Sequence, residues 1–267
     1  MPAPKRKRKG PWWGAAALAL VCAFSFSAVA RADWAVTSLK RQPGANGAVE
    51  YLHYSLGKAD SGSEAEVRLA LFLRRNATLR VIDQPASDRR LAEVMTGEKF
   101  LAGVNGGYFD PEGAPVGLLI SGGKTIAPFR KARLLSGVLA VREGSVEIFR
   151  ASEFPRKRAW REAVQCGPFL VDRGKPVAGL EDTRLARRTF VFTTKDGRAA
   201  IGYCSPVTLA GLGQILAALA PLPVTRALNL DGGSSSAFWC RTNAETISIS
   251  EYKLVRDFIA IVPRNDR

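Results

Sequence analysis

Short runs in which apolar and polar residues alternate recur along most of this chain. They cover residues 49–56, 67–74, 78–82, 137–142, 146–149, 164–171, 189–194, 199–204, 226–230 and 258–262. A two-residue period puts one face of a strand in a core and the other in solvent, so each run predicts a strand. Two junctions predict hairpins. Glu143-Gly144 and Lys195-Asp196-Gly197 are short polar turns with a glycine free to take positive φ. Helical periodicity is limited to two segments. Residues 87–96 carry Leu91, Val94 and Met95 at helical spacing, with Ser87 as a candidate N-cap. Residues 208–219 carry Leu209, Leu212, Ile215, Leu216 and Leu219 on one stripe behind Thr208, and Pro221 and Pro223 stop the run. Many strands and few helices predict an α+β fold: a mixed, mostly antiparallel sheet with a few helices in a single domain.

The first 32 residues fall outside this pattern. Five basic residues (Lys5 to Lys9) precede an apolar stretch over 12–29, and Ala30-Arg31-Ala32 offers small residues at −3 and −1 of a cleavage site. That is the layout of a secretory signal peptide cut before Asp33. Ser25 and Ser27 interrupt the apolar run, which argues against an uncleaved anchor, and Leu20-Val21 before Cys22 is a poor lipid-attachment signal. The expectation is a protein exported to the periplasm or beyond the cell, with no stable membrane anchor after cleavage. The mature domain is then 33–267.

Charge and cysteine content narrow the partners. The chain has 39 Lys/Arg against 24 Asp/Glu, a net +15; the leader holds six of the basic residues and no acid, which leaves +9. Such a charge favours anionic ligands. The basic residues are scattered and match no helix-turn-helix or zinc-finger spacing, so nucleic acid is not the expected partner. Cys166, Cys204 and Cys240 remain after cleavage, without a C-x-x-C or a Cys/His cluster. One disulfide and one free thiol is the simple reading for an oxidising compartment, with Cys204–Cys240 preferred; spacing does not settle the pairing.

Four segments carry candidate chemistry. In ALNLDGGSSSAFW (227–239) an apolar approach delivers Asn229 and Asp231, followed by Gly232, Gly233 and three serines, Ser234 to Ser236. Glycines admit close backbone approach to a ligand, and hydroxyl and N–H donors suit phosphate or sugar oxygens. In 103–124 a strand-like 100–104 delivers Asn105, then Gly106, Gly107, Tyr108, Phe109 and Asp110, with a turn at Pro111-Glu112-Gly113. Polar groups converging at strand ends make a small-ligand site. Gln165-Cys166-Gly167-Pro168 puts a proline inside an apolar run; this is either a bulge on an edge strand or a kink that lines a pocket. Arg187-Arg188-Thr189 opens a strand with two permanent cations, which are either solvated surface or phosphate ligands.

What the chain lacks is as informative. Its single histidine, His53, sits in an alternating run, and neither G-x-S-x-G, a Walker loop nor G-x-G-x-x-G after a strand occurs. A Ser-His-Asp hydrolase could be built only around His53. Carboxylate, amide, hydroxyl and arginine chemistry remain. Glycosyl transfer needs two carboxyl groups, or one carboxyl and a leaving group that needs little protonation, such as a phosphodiester.

Taken in order, VNGGYFDPEGAPVGLLISGGK, QCGPFLV, RRTFVFTTKDGRAAIGY and RALNLDGGSSS resemble the phosphodiester glycosidase family over about residues 65–263. The resemblance implies a mixed α+β domain with these motifs around one cleft, and hydrolysis of the sugar C1–O bond in a sugar-1-phosphodiester. It carries Asn105, Gly106, Gly107 and Phe109, with Asp110 behind them, from the first motif. Gly167 and Pro168 come from the second, and Arg188 and Thr189 from the third. The fourth supplies Asn229, Asp231, Gly232, Gly233 and Ser235, with Ser234 where many members have a third glycine. On that reading Asp231 is the leading acid/base or nucleophile and Asp110 the second candidate. Arg188 and the Gly-Gly-Ser turn bind phosphate oxygens, while Asn105 and Asn229 bind sugar hydroxyls or orient the carboxylates. Asp110 and Asp231 are also the candidate ligands of a divalent cation, calcium or magnesium by their hard oxygens. Two other functions fit the same residues: a non-catalytic binding module for anionic envelope glycopolymers, and a phosphodiesterase that cuts P–O instead.

Overall fold

The computed structural model of the chain describes residues 1–2, 34–143 and 145–264, and Ala32–Arg267 form one compact unit. The leader expected over 1–32 and its cleavage site lie outside the described residues. Three antiparallel sheets build the unit. The largest runs, edge to edge, Trp34–Pro43, Val49–Lys58, Ser63–Leu73, Arg198–Val207, Ala186–Thr194, Val224–Asn229, Phe169–Asp172 and Lys175–Pro176. The second runs Lys124–Ala127, Leu119–Ser121, Glu162–Cys166, Gly137–Arg142 and Ser145–Arg150. The third runs Thr246–Ile249, Phe238–Arg241, Ala102–Asn105, Asp257–Pro263 and Ala77–Asp83. Among the described residues there are two α-helices, Leu91–Gly97 and Leu209–Ala217. The fold is therefore α+β, mostly antiparallel, as the alternating runs require.

Burial follows the pleat. Inward residues of all three sheets, among them Phe72, Val104, Leu139, Val164, Leu228 and Ile259, meet in one central core. The opposite face of the large sheet carries Leu52, Leu69, Phe190 and Phe192, and the apolar stripe of Leu209–Ala217 covers it through Leu212, Ile215 and Leu216. Thr208 caps that helix by accepting the Gly211 N–H at 3.0 Å. The shorter helix packs Leu91, Val94 and Met95 on Trp239, Phe258 and Ala260 of the third sheet. Both predicted hairpins form, joining Gly137–Arg142 to Ser145–Arg150 and Ala186–Thr194 to Arg198–Val207.

Three local expectations are corrected. Ser87 does not cap the first helix. It lies upstream with φ 46°, and its hydroxyl donates to Gln84 O at 3.2 Å. The helix starts at Leu91, where Glu251 accepts the Leu91 N–H and Glu93 accepts that of Arg90. The run 164–171 is two strands. Glu162–Cys166 belongs to the second sheet and Phe169–Asp172 to the first, so Gly167-Pro168 is the crossing between sheets and not an edge bulge. Glycine is needed there because a Cβ on residue 167 would lie 2.2 Å from Leu134 O and 3.0 Å from Ser136 N. Finally, Cys166, Cys204 and Cys240 are all free and buried. Cys204 packs under the second helix while Cys240 faces the central core, so different apolar layers hold the two thiols.

Candidate active site

The ends of strands from all three sheets meet at one place. Val224–Asn229 runs out into Leu230-Asp231, Ala102–Asn105 into Gly106-Gly107, and Glu162–Cys166 into Gly167-Pro168; Asp257–Pro263 begins there. Main-chain bonds stitch these ends together. Asn229 N donates to Pro168 O, Leu230 N to Thr189 O, and Asp231 N to Gly106 O, each at 2.9–3.0 Å. The sequence motifs at 105–110, 167–168, 188–189 and 229–235 thus converge, although they are far apart along the chain.

Asn105 is the clamp. It is fully buried, its Nδ2 donates to Asp231 O at 2.8 Å, and its Oδ1 accepts from Thr189 Oγ1 at 2.7 Å and Ala237 N at 3.0 Å. All three bonds are internal, and the one to Asp231 holds its main-chain carbonyl. Asn229 is similar on its donor side: Nδ2 reaches Gly167 O at 2.9 Å and Tyr108 Oη at 3.2 Å. Its Oδ1 is buried without a partner among the described residues. The Tyr108 hydroxyl donates to the same Gly167 carbonyl, and burial, then the charges of Cys166 and Asp231, push its pKa upward.

Asp231 follows directly from this clamp. Its side chain is half-buried and its Oδ1 accepts the Gly232 N–H at 2.9 Å. Burial raises its pKa; the Ser235 hydroxyl, the Lys253 ammonium and the Gly232 N–H oppose that rise. Downstream, a one-turn 3-10 helix, Gly233–Ser235, exposes Ser234 and buries Ser235. The first N–H groups of such a turn have no intrahelical acceptor.

Asp110 plays a more local part. Its Oδ1 accepts the Ala114 N–H at 2.7 Å and its carbonyl accepts that of Gly113, which closes the Pro111-Glu112-Gly113 turn. Arg188 is buried, with Nε donating to Val207 O at 2.9 Å and Nη2 to Arg184 O at 2.8 Å. Glu181 lies 3.8 Å away, and burial lowers the arginine's pKa. Arg187 anchors the other side through Ser236 O and Ser250 O and lies 4.2 Å from the Tyr252 ring centroid. Most of this guanidinium chemistry faces the protein.

Two residues outside the motifs, Lys253 and Asp257, also stand at these strand ends. Lys253 is exposed, its ammonium 4.6 Å from the Phe109 ring centroid and close enough to stabilise the Asp231 charge. Asp257 lies behind the Gly106-Gly107 turn, 1% exposed. Its Oδ1 accepts the Gly107 N–H at 2.8 Å and its carbonyl the Gly106 N–H at 2.9 Å. A Cβ on residue 106 would lie 1.6 Å from that Oδ1, so the close approach requires glycine. Burial pushes the Asp257 carboxyl up to about 7, and the negative charges of Asp83 and Asp231 add to the rise; the Gly107 N–H and Arg256 oppose it. Neither residue carries a sequence signal: Asp257 reads as a polar strand end and Lys253 as surface charge. Among the described residues no group of three or more His, Cys, Asp or Glu side chains is arranged to hold a metal.

Comparison with known proteins bears on the fold and the family. The family model described as phosphodiester glycosidase matches residues 98–262. The fold is similar to the zebrafish N-acetylglucosamine-1-phosphodiester alpha-N-acetylglucosaminidase catalytic domain auto-inhibited by its pro-peptide. That match has a TM-score of 0.60 at 17% identity and covers 86% of this chain and 89% of that one. It is also similar to a protein of Burkholderia pseudomallei K96243 described as exported, with a TM-score of 0.54 at 13% identity over 76% of this chain and 74% of that one. No curated protein sequence matches the chain. The family model spans more than half of the chain and includes all four motifs and Asp257, so the chain belongs to the phosphodiester glycosidase family.

Proposed function

We propose that the protein is an exported glycosidase that hydrolyses the sugar C1–O bond of a sugar-1-phosphodiester, with Asp231 as the reacting carboxylate. One observation carries this reading: a half-buried aspartate stands where three sheets meet, and Asn105 and Gly106 hold its main chain on both sides. Fixing the reacting group before substrate arrives is how a site lowers the entropic part of a barrier.

The chemistry follows from the leaving group. A phosphodiester oxygen departs as an already stabilised anion, so one carboxylate suffices where ordinary glycosides need two. Asp231 attacks C1 or draws a proton from the attacking water. The C1–O bond to phosphate breaks and its electron pair leaves with the phosphate; where Asp231 has bonded to C1, water then displaces the carboxylate there, and in either route the water oxygen becomes the sugar hydroxyl while its proton passes to the carboxylate or to solvent. Lys253, exposed over Phe109 and beside Asp231, is placed to neutralise the phosphate, and the Gly233–Ser235 turn offers N–H and hydroxyl donors to its oxygens. Arg188 supports the turn at Gly232 from beneath, its Cδ 4.0 Å from where a Cβ there would stand. Calcium or magnesium binding needs several oxygen ligands around one point. Among the described residues no third acid joins Asp110 and Asp231 in such a set, and Oδ1 of each already accepts a main-chain N–H.

Export rests on the leader pattern of residues 1–32, and the B. pseudomallei relative described as exported supports it. A panel of sugar-1-phosphodiesters incubated with the mature chain tests the function. Free reducing sugar from the wild type, lost in Asp231→Asn with the fold intact, is the expected result. Binding without release would identify a binding module instead. Release of sugar phosphate would identify a phosphodiesterase, and undiminished turnover by Asp231→Asn would remove that residue from the chemistry.

A further inference from the structure

A second cluster of charge lies on the far side of the Gly167 crossing. Arg130, Lys131, Arg133 and Arg156 line a cavity of about 610 Å³, together with Phe129 and Phe154. No Asp or Glu lines it among the described residues. The nearby acids are already engaged: Asp172 pairs with Arg150 at 2.7 Å and Glu153 with Arg226 at 2.8 Å. Arg150 lines the hollow as a fifth cation, with Asp172 as its partner, and the other four like charges repel one another.

The main chain of this loop is anchored. The buried Gln165 side chain grips it at both ends, with Oε1 accepting the Arg130 N–H at 3.0 Å and Nε2 donating to Arg130 O at 2.7 Å and Leu135 O at 3.3 Å. Ser136 pins the far end by accepting the Phe169 N–H at 2.8 Å. Below the cations, Phe129 and Phe154 stack with centroids 6.0 Å apart, and Arg156 lies 5.3 Å from the Phe129 centroid. An aromatic base beside exposed cations on an anchored main chain suits a ligand with both apolar C–H faces and anionic oxygens. The cavity also adjoins the site already described. Leu134 and Ser136 touch Gly167, whose carbonyl accepts from Tyr108 and Asn229.

We propose that this cavity is an anion-binding subsite that takes a second, uncleaved phosphate of a phosphate-linked glycan substrate. Its assignment to substrate rests on the proposed function; its capacity to bind an anion does not. Its size, within the ~300–1,000 Å³ usual for ligand sites, admits a phosphate with part of an attached sugar. The substrate class is then a polymer or oligomer with repeated phosphodiester links, not a single sugar phosphodiester.

Isothermal titration of the mature chain with inorganic tripolyphosphate tests the subsite without turnover. Binding that weakens as salt rises is expected, and R130Q/K131Q/R133Q should weaken it about tenfold or more through loss of charge-assisted contacts. The charge-matched surface variant K124Q/K175Q/K195Q should retain wild-type affinity. Equal losses in the two variants, or no loss in the first, overturns the subsite and leaves only diffuse attraction by net charge. Acylation of the wild type gives a readout that needs no variant: tripolyphosphate should protect Lys131 and leave Lys124 reactive, and equal labelling of both overturns the proposal. Anion binding here without sugar release from any phosphodiester would count against the proposed function and not against the subsite.

Discussion

Asp257→Asn separates a charge effect from a packing effect at the base of the candidate site. Asparagine keeps the shape and can still accept the Gly107 N–H through Oδ1, but it cannot ionise. In the wild type the buried carboxyl titrates at about 7, against 3.8 for an ordinary aspartate. Between those values the folded chain holds a proton that the unfolded chain has released, so stability falls as pH rises through that window. Three units correspond to a penalty on the order of 4 kcal/mol, complete above pH 7. Burial also raises Glu162 and Asp231, which act with the same sign and remain in the variant. Asp196, held at about 2 by Arg198, acts only in stronger acid. Urea unfolding followed by tryptophan fluorescence at about pH 4.5 and about pH 8 measures the difference. The variant should gain on the wild type by several kcal/mol between those conditions. Parallel pH dependence in the two proteins would show that Asp257 does not titrate in this window, and the coupling of its charge to Asp231 would go with it.

Further expectations concern the same turn and its surroundings. Gly106→Ala places a Cβ 1.6 Å from Asp257 Oδ1 and should cost about 1–3 kcal/mol by overpacking. The cost should shrink in an Asp257→Ala background, and an additive double-mutant cycle in urea unfolding would contradict the contact. Lys253→Gln removes a charge that holds the Asp231 pKa down. It should raise KM for a phosphodiester substrate and move the acid limb of kcat/KM to higher pH; an unchanged KM and limb would remove Lys253 from phosphate binding. Thr208→Ala should cost about 1 kcal/mol by removing the Gly211 cap, read in the same unfolding assay.

Much of the fold was legible because alternation is local. Nine of the ten alternating runs each fall on one strand, the tenth (164–171) spans the ends of two, and the Lys195-Asp196-Gly197 turn and the Thr208 stripe specify their elements within a dozen residues. Three of the four motifs stand out in sequence for a related reason: each sets glycine near an amide or a carboxylate at a strand end, whereas Arg187-Arg188-Thr189 carries neither. What stayed hidden depends on pairing across long separations. The first strand, Trp34–Pro43, has mostly outward or half-buried residues and no clean alternation. The Gly167-Pro168 crossing is invisible until Glu162–Cys166 and Phe169–Asp172 are seen in different sheets. Asp257 needs the register Phe258↔Asn105 to bring it under Gly106. Nor does anything local show that Arg188 gives two of its N–H donors to the Val207 and Arg184 carbonyls.

The central claim is that the bond broken lies between sugar C1 and oxygen, at Asp231. Turnover of a sugar-1-phosphodiester in water enriched in ¹⁸O tests it most directly. The label is expected on C1 of the released sugar, with none in the phosphate product and no incorporation by Asp231→Asn. Label in the phosphate, or labelled sugar formed at the wild-type rate by Asp231→Asn, would contradict it.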